Sequence, residues 1–245
     1  MRIKTALAAV LLAGPAAAAS QPVELPLVTY PQLPAAARDA AGFVPAGWAI
    51  VARREGDLNG DRAADLVLVL KMTDPANIVQ IPVGEETEPL DTNPHLLLVA
   101  FAEAGGYRFA ASNRGLFLRR EMPFTGDLPP NEDTIRIERG GLVVFFEYLR
   151  GWASFRFRWQ EGAMRLIGYD DGGVSGGCVT RTSINYLTGR ARLEAGYIDQ
   201  DRNRTASRRL TSFERPTLDR IDLMEFQAEE AVAGEPLWCE NPDDE

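Results

Sequence analysis

The sequence predicts a mainly β protein: a single antiparallel β domain, a sandwich or partial propeller-like sheets, with one or two short helices. Three observations carry this. Short apolar runs separated by glycine turns fill the middle of the chain. Phe155, Phe157 and Trp159 alternate with Arg156 and Arg158, the period of a strand with one buried face. The aspartate loop GDLNGDRAAD (56–65) runs directly into the strand-like LVLVL (66–70). No internal repeat is visible, and a multi-blade propeller would need several copies of the loop.

Taken in order, residues 1–19 carry the three parts of a secretory signal. Arg2 and Lys4 form the positive start, residues 5–14 the apolar run and Ala17-Ala18-Ala19 a small-residue cleavage site. The apolar run is too short to cross a bilayer. No cysteine follows it, so neither a transmembrane segment nor a lipid anchor is expected. The second part, residues 20–42, reads as an arm followed by a two-turn helix over PAAARDAAG (34–42), with proline at its start and Gly42 at its stop. The β domain is expected over 43–213.

Within that domain WAIVA (48–52) and DLVLVLK (65–71) flank the acidic loop, and the four prolines of 72–94 predict a long loop. Residues 95–112 predict a hairpin turning at Gly105-Gly106, and 113–133 are irregular. The densest β region follows, with strands at TIRIE, LVVFFEYLR, ASFRFRW and AMRLIGY and turns at the intervening glycines. DDGGVSGG (170–177) predicts a flexible loop. TRTSINYL and ARLEAGYI predict a further hairpin, and RRLTSFERP one more strand. The acidic C-terminal segment, 214–245, carries an expected helix around 217–231.

Charge narrows the partners. Without the signal, 24 Lys+Arg face 35 Asp+Glu, which argues against nucleic acid and anionic lipid, both of which want basic patches. Every cation after the signal except Lys71 is arginine, which reads as compositional bias. Cys178 and Cys239 predict a disulfide in an oxidising compartment, the alternative being two unpaired thiols. Neither lies in a zinc or redox spacing.

The acidic loop holds the main candidate site. Asp57, Asn59, Asp61 and Asp65 stand at positions 1, 3, 5 and 9, with the Ala63 carbonyl at position 7, an oxygen set suited to calcium. Position 12 is Leu68 inside the strand-like run, so the loop is not an EF-hand. Arg62 replaces the usual glycine at position 6, which predicts weak binding. The alternative is an Asx-turn in which Asp57 and Asn59 hold backbone amides without metal. Asp199, Asp201 and Asn203 repeat the first three spacings, but Ser207 stands at position 9, and a solvated turn is expected there.

The loop resembles the D-x-[DN]-x-D-G-x-x-D calcium loop of integrin-type (FG-GAP/VCBS-like) modules. FVPAGWAI (43–50), the loop with LVLVL (56–70), 95–113, 151–170 and SINYLTGR (183–190) together resemble uncharacterised bacterial secreted proteins and lipoproteins with one such loop. That resemblance implies a secreted single-loop β protein and no particular activity.

Catalytic patterns are weak. Gly173-Val174-Ser175-Gly176-Gly177 spells G-x-S-x-G, but a nucleophile elbow needs a following helix and a later histidine, and the single histidine, His95, lies upstream. Cys178 paired with His95 fails because a disulfide removes the thiol. His95 reads as a packed histidine. Glu147, Asp170 and Asp171 are carboxylates available to a hydrolase. Trp152, Phe155, Phe157, Trp159 and Tyr169 read as core more than as a groove. The functional expectation is a periplasmic or secreted non-enzymatic binding protein for an envelope protein or glycan, the alternative being an envelope-polymer hydrolase.

Overall fold

The computed structural model describes residues 24–83, 86–120, 129–199, 203–212 and 214–239. The expected signal peptide and the last six residues lie outside them. Among the described residues the strands are β1 (Ala36–Ala37), β2 (Trp48–Gly56), β3 (Asp65–Met72), β4 (Ile78–Val83), β5 (Glu86–Asp91), β6 (His95–Glu103) and β7 (Gly106–Asn113). They continue with β8 (Ile135–Glu138), β9 (Gly141–Tyr148), β10 (Gly151–Gln160), β11 (Ala163–Ser175), β12 (Cys178–Asn185), β13 (Arg190–Tyr197) and β14 (Arg204–Arg209).

Two antiparallel sheets face each other across one core, which settles the expected mainly β domain as a sandwich. The smaller sheet has the order β1-β7-β6-β3-β2, and the larger is a seven-strand meander from β8 to β14. Val67, Val69, Leu97 and Val99 of the small sheet meet Leu142, Val144, Phe155, Phe157 and Leu166 of the large one. Each fully buried aliphatic or phenyl side chain contributes about 1.5–3 kcal/mol.

The LVLVL run is apolar throughout because β3 is buried on both faces. Leu66, Leu68 and Leu70 point away from the shared core into a second one with Phe43, Trp48, Leu96 and Leu98, and Tyr30 and Leu33 pack against it. Residues 30–44 therefore cover the outer face of the small sheet.

Five expectations need correction. The strand expected at RRLTSFERP (208–216) lies earlier, as β14 (Arg204–Arg209). The helix over 34–42 does not form. Instead β1 pairs with Tyr107 and Arg108, and only a 3-10 turn, Ala41–Phe43, follows. Burying Ala40 and Phe43 in the second core outweighs the helix propensity of the alanines. The helix around 217–231 is likewise absent, replaced by 3-10 turns Leu218–Arg220 and Ala228–Ala231. This segment fits Leu218, Ile221, Ala228 and Val232 into the shared core. The Asn113 amide pins it by donating to the Leu218 and Ile221 carbonyls at 2.6 and 2.7 Å.

Residues 72–94 contain a hairpin, β4 with β5, rather than a long loop. Pro82 and Pro89 are tolerated because a two-stranded sheet leaves an outer edge on each strand that needs no ladder donor. Finally, 170–177 is mostly strand: β11 runs to Ser175, and only Gly176-Gly177 turn. The hairpin expected over 95–112 forms as β6 with β7.

Candidate functional site

The acidic loop closes on itself between β2 and β3. The Asp57 carboxylate accepts the Gly60 and Arg62 amides at 2.6 and 3.0 Å. Asn59 Oδ1 accepts the Asp61 amide at 2.9 Å, and Asp61 accepts the Ala63 amide at 2.7 Å. Arg62 has φ +70°, the left-handed conformation that its glycine-like position implied, at a penalty of about 1 kcal/mol or more for a side-chain-bearing residue.

Asp65 differs from the others. It is fully buried and accepts the Leu58 amide at 2.8 Å and the Ala102 amide at 2.9 Å, so it ties the loop to β6. Burial pushes its pKa up, and the two amide bonds pull the other way. The donors along the loop are hard oxygens, right in kind for calcium. Among the described residues no three His, Cys, Asp or Glu side chains are grouped as a metal cage. Asp201 of the second cluster falls outside the described residues.

Cys178 and Cys239 form the expected disulfide, which ties the chain end to the start of β12. His95 is buried, stands 6.1 Å from Phe117 ring to ring, and leaves Nδ1 without a partner. Its pKa is pushed down to about 4 by burial first and by Lys71 second, with Asp91 opposing. It borders a cavity of about 230 Å³, together with the Lys71–Asp91 ion pair, Glu147 and Phe146. Ser175 is exposed at a hairpin end, with β12 rather than a helix after it, so the nucleophile-elbow pattern has no elbow.

Phe155 and Phe157 are fully buried core, and Trp159 meets Phe101 edge-on. Asp170 is bound to Arg156 and to the Ser183 hydroxyl. Asp171 faces inward, where burial raises its pKa, hydrogen bonds from Thr182 and Tyr169 lower it, and Glu229 adds a like charge. Asp171 and Glu229 both border a cavity of about 130 Å³ under the C-terminal segment.

The outward face of the large sheet escaped the sequence reading. Pairing registers place Arg136, Val143, Arg156, Gly168, Asn185, Arg190 and Arg209 in one row across seven strands. Arg158, Arg165, Arg181 and Arg192 share this face, against Glu138, Glu147, Asp170 and Glu194. The face thus carries eight arginines and four carboxylates on a chain whose net charge is −9. Arginine bias concealed the pattern, yet the signal was present: these arginines occupy the strand positions that alternate with buried ones. Phe145 and Trp152 stack on the same face, with the Arg136 guanidinium over Phe145.

No protein-family model, curated protein or solved structure matches the chain.

Proposed function

We propose that this is a non-enzymatic binding protein of the periplasm or the extracellular space. It engages an envelope glycan or protein through the outward face of the large sheet. One observation carries the reading. The small sheet is covered on both faces, whereas the large sheet leaves one face of seven strands exposed, with Arg156, Arg181, Asn185, Arg192 and Arg209 open to solvent. Ordered strands present such side chains at fixed backbone spacing, so little backbone ordering entropy is lost on binding.

In this reading the loop at 57–65 takes a weakly bound structural calcium ion through Asp57, Asn59, Asp61, Asp65 and the Ala63 carbonyl. The spacing, the oxygen donors and the left-handed Arg62 support it. The ion would hold β2 against β3 and would not take part in recognition.

A second reading, an envelope-polymer hydrolase, draws support from Asp171. A half-buried carboxyl with a raised pKa beside a second carboxylate, Glu229, is the arrangement a general acid uses.

One experiment separates the two. The tagged protein is mixed with isolated cell-envelope material, and both retention and release of reducing ends are measured. The binding reading expects retention without release. Release that disappears in Asp171→Asn, with retention unchanged, would make the hydrolase reading the better one, and absence of retention would remove the binding reading.

A further inference from the structure

The binding face has a chemistry of its own, and we infer that its partner is an anionic polysaccharide, held by arginines and hydroxyl-bearing side chains across the large sheet. This rests on the reading above and narrows it to one class of ligand.

The row from Arg136 to Arg209 crosses six strand spacings, about 29 Å. Its charges recur on β8, β10, β13 and β14, which suits a polymer with repeating anions better than one small ion. The ion pairs Arg136–Glu138, Arg156–Asp170 and Arg192–Glu194 neutralise part of the face. Arg158, Arg181, Arg190 and Arg209 have no ion-pair partner among the described residues. Guanidinium groups bind carboxylate, sulfate and phosphate through paired N–H bonds, so unpaired arginines at fixed spacing are the groups this ligand needs.

The face also has a depression. Gly168 on β11 has no side chain, and Arg139, Arg156 and Arg158, with Glu138 as the one carboxylate, border a cavity of about 480 Å³ together with Ser183 and Asn185. A Cβ at Gly168 would come within 3.4 Å of the Ile184 carbonyl and begin to fill it. Cationic walls beside hydroxyl and amide groups match a ring that bears both an acidic group and neutral hydroxyls. Ser207 and Thr205 extend the hydroxyl-bearing surface on β14.

Other polyanions fit less well. Single-stranded nucleic acid needs free aromatic platforms, and Trp152 and Phe145 are already stacked on each other with ring centroids 6.1 Å apart. An anionic membrane favours apolar insertion beside the charges. Exposed apolar residues near this face, Leu149, Leu187 and Ile198, lie singly at hairpin ends rather than on the arginine rows, although Leu187 borders the depression.

The test uses the full disulfide-bonded protein with four probes at low salt: polygalacturonate, neutral dextran, single-stranded DNA and vesicles rich in anionic lipid. Arg158→Glu, Arg190→Glu and Arg209→Glu are combined in one variant. Arg38→Glu, Arg53→Glu and Arg220→Glu, exposed positions off this face, make a control of equal net charge. The expected result is binding to polygalacturonate and not to dextran. Affinity should fall by about tenfold or more in the face variant and less than about threefold in the control, and should drop as salt rises.

Equal losses in the two variants would overturn the assignment to this face. Tighter binding to DNA or vesicles than to polygalacturonate would overturn the choice of partner. If envelope material retains the protein and its face variant alike, the anionic-glycan inference fails while the broader binding reading stands. If envelope material retains neither, both fail.

Discussion

The protein has a single histidine, which makes its response to mild acid unusually readable. His95 is 7% exposed, and its pKa lies near 4 against an ordinary 6.5. The folded state therefore holds the neutral ring, while the unfolded chain takes up a proton below 6.5. Stability from this source is fully present above 6.5 and drains away as pH falls towards 4. Between about pH 7.5 and about pH 5 the two titration curves differ by roughly 1.5 log units, or about 2 kcal/mol.

Desolvation is the main cause, and Lys71 adds to it, so the effect belongs to the site and not to net charge. Urea unfolding of the wild type and of His95→Gln across this range isolates the contribution. Raised carboxylates such as Asp65 and Asp171 act in the opposite direction, but they are common to both proteins and cancel in the difference. The wild type is expected to lose about 2 kcal/mol more than His95→Gln on acidification. Parallel curves, or an imidazole NMR signal titrating near 6.5, would refute the reasoning.

Four further outcomes are expected. Calcium at millimolar concentration should raise the melting temperature of the wild type and leave Asp61→Ala unmoved, whereas identical melts with chelator and with calcium would count against the ion; Arg62→Gly should stabilise the metal-free protein by up to about 1 kcal/mol by relieving the left-handed arginine. Replacing both Cys178 and Cys239 by serine releases a closed loop with a sequence separation of 61 and should lower stability by up to about 4 kcal/mol in chemical denaturation. Phe157→Ala, at a fully buried position, should destabilise by about 3–5 kcal/mol, while Arg158→Ala on the opposite face of the same strand should change stability by less than about 0.5 kcal/mol.

Most strands of the large sheet were legible because each carries its own period-2 pattern and is followed by a glycine turn, whereas β14, which no glycine turn precedes, was expected later in the chain. At Phe155, Arg156 and Phe157 the letters alone decide which side is buried. The acidic loop was legible for a similar reason: its residues are neighbours, and their spacing carries the geometry.

What could not be read depended on distant partners. Ala36 and Ala37 prefer a helix locally, and only the edge of β7 makes them a strand. Leu218, Ile221 and Ala228 suit a helix until the sheet above them fixes where each must insert. The arginine row is the same lesson at a surface. Arg136 and Arg209 are 73 positions apart, and only the registers of the intervening strands set them in one row.

The double burial of β3 also bears on how the chain survives its own synthesis. Leu66 to Leu70 end with no exposed surface, yet their coverings arrive at different times: β2 is already made, β6 begins 25 residues after Leu70, and the large sheet follows later still. Until then five consecutive β-prone apolar residues stand open, the composition that seeds intermolecular strand pairing. The charges at each end act as gatekeepers. Asp57, Asp61 and Asp65 precede the run, and Lys71, the sole lysine after the N-terminal segment, closes it. The acidic loop thus serves as a solubilising flank for an aggregation-prone strand.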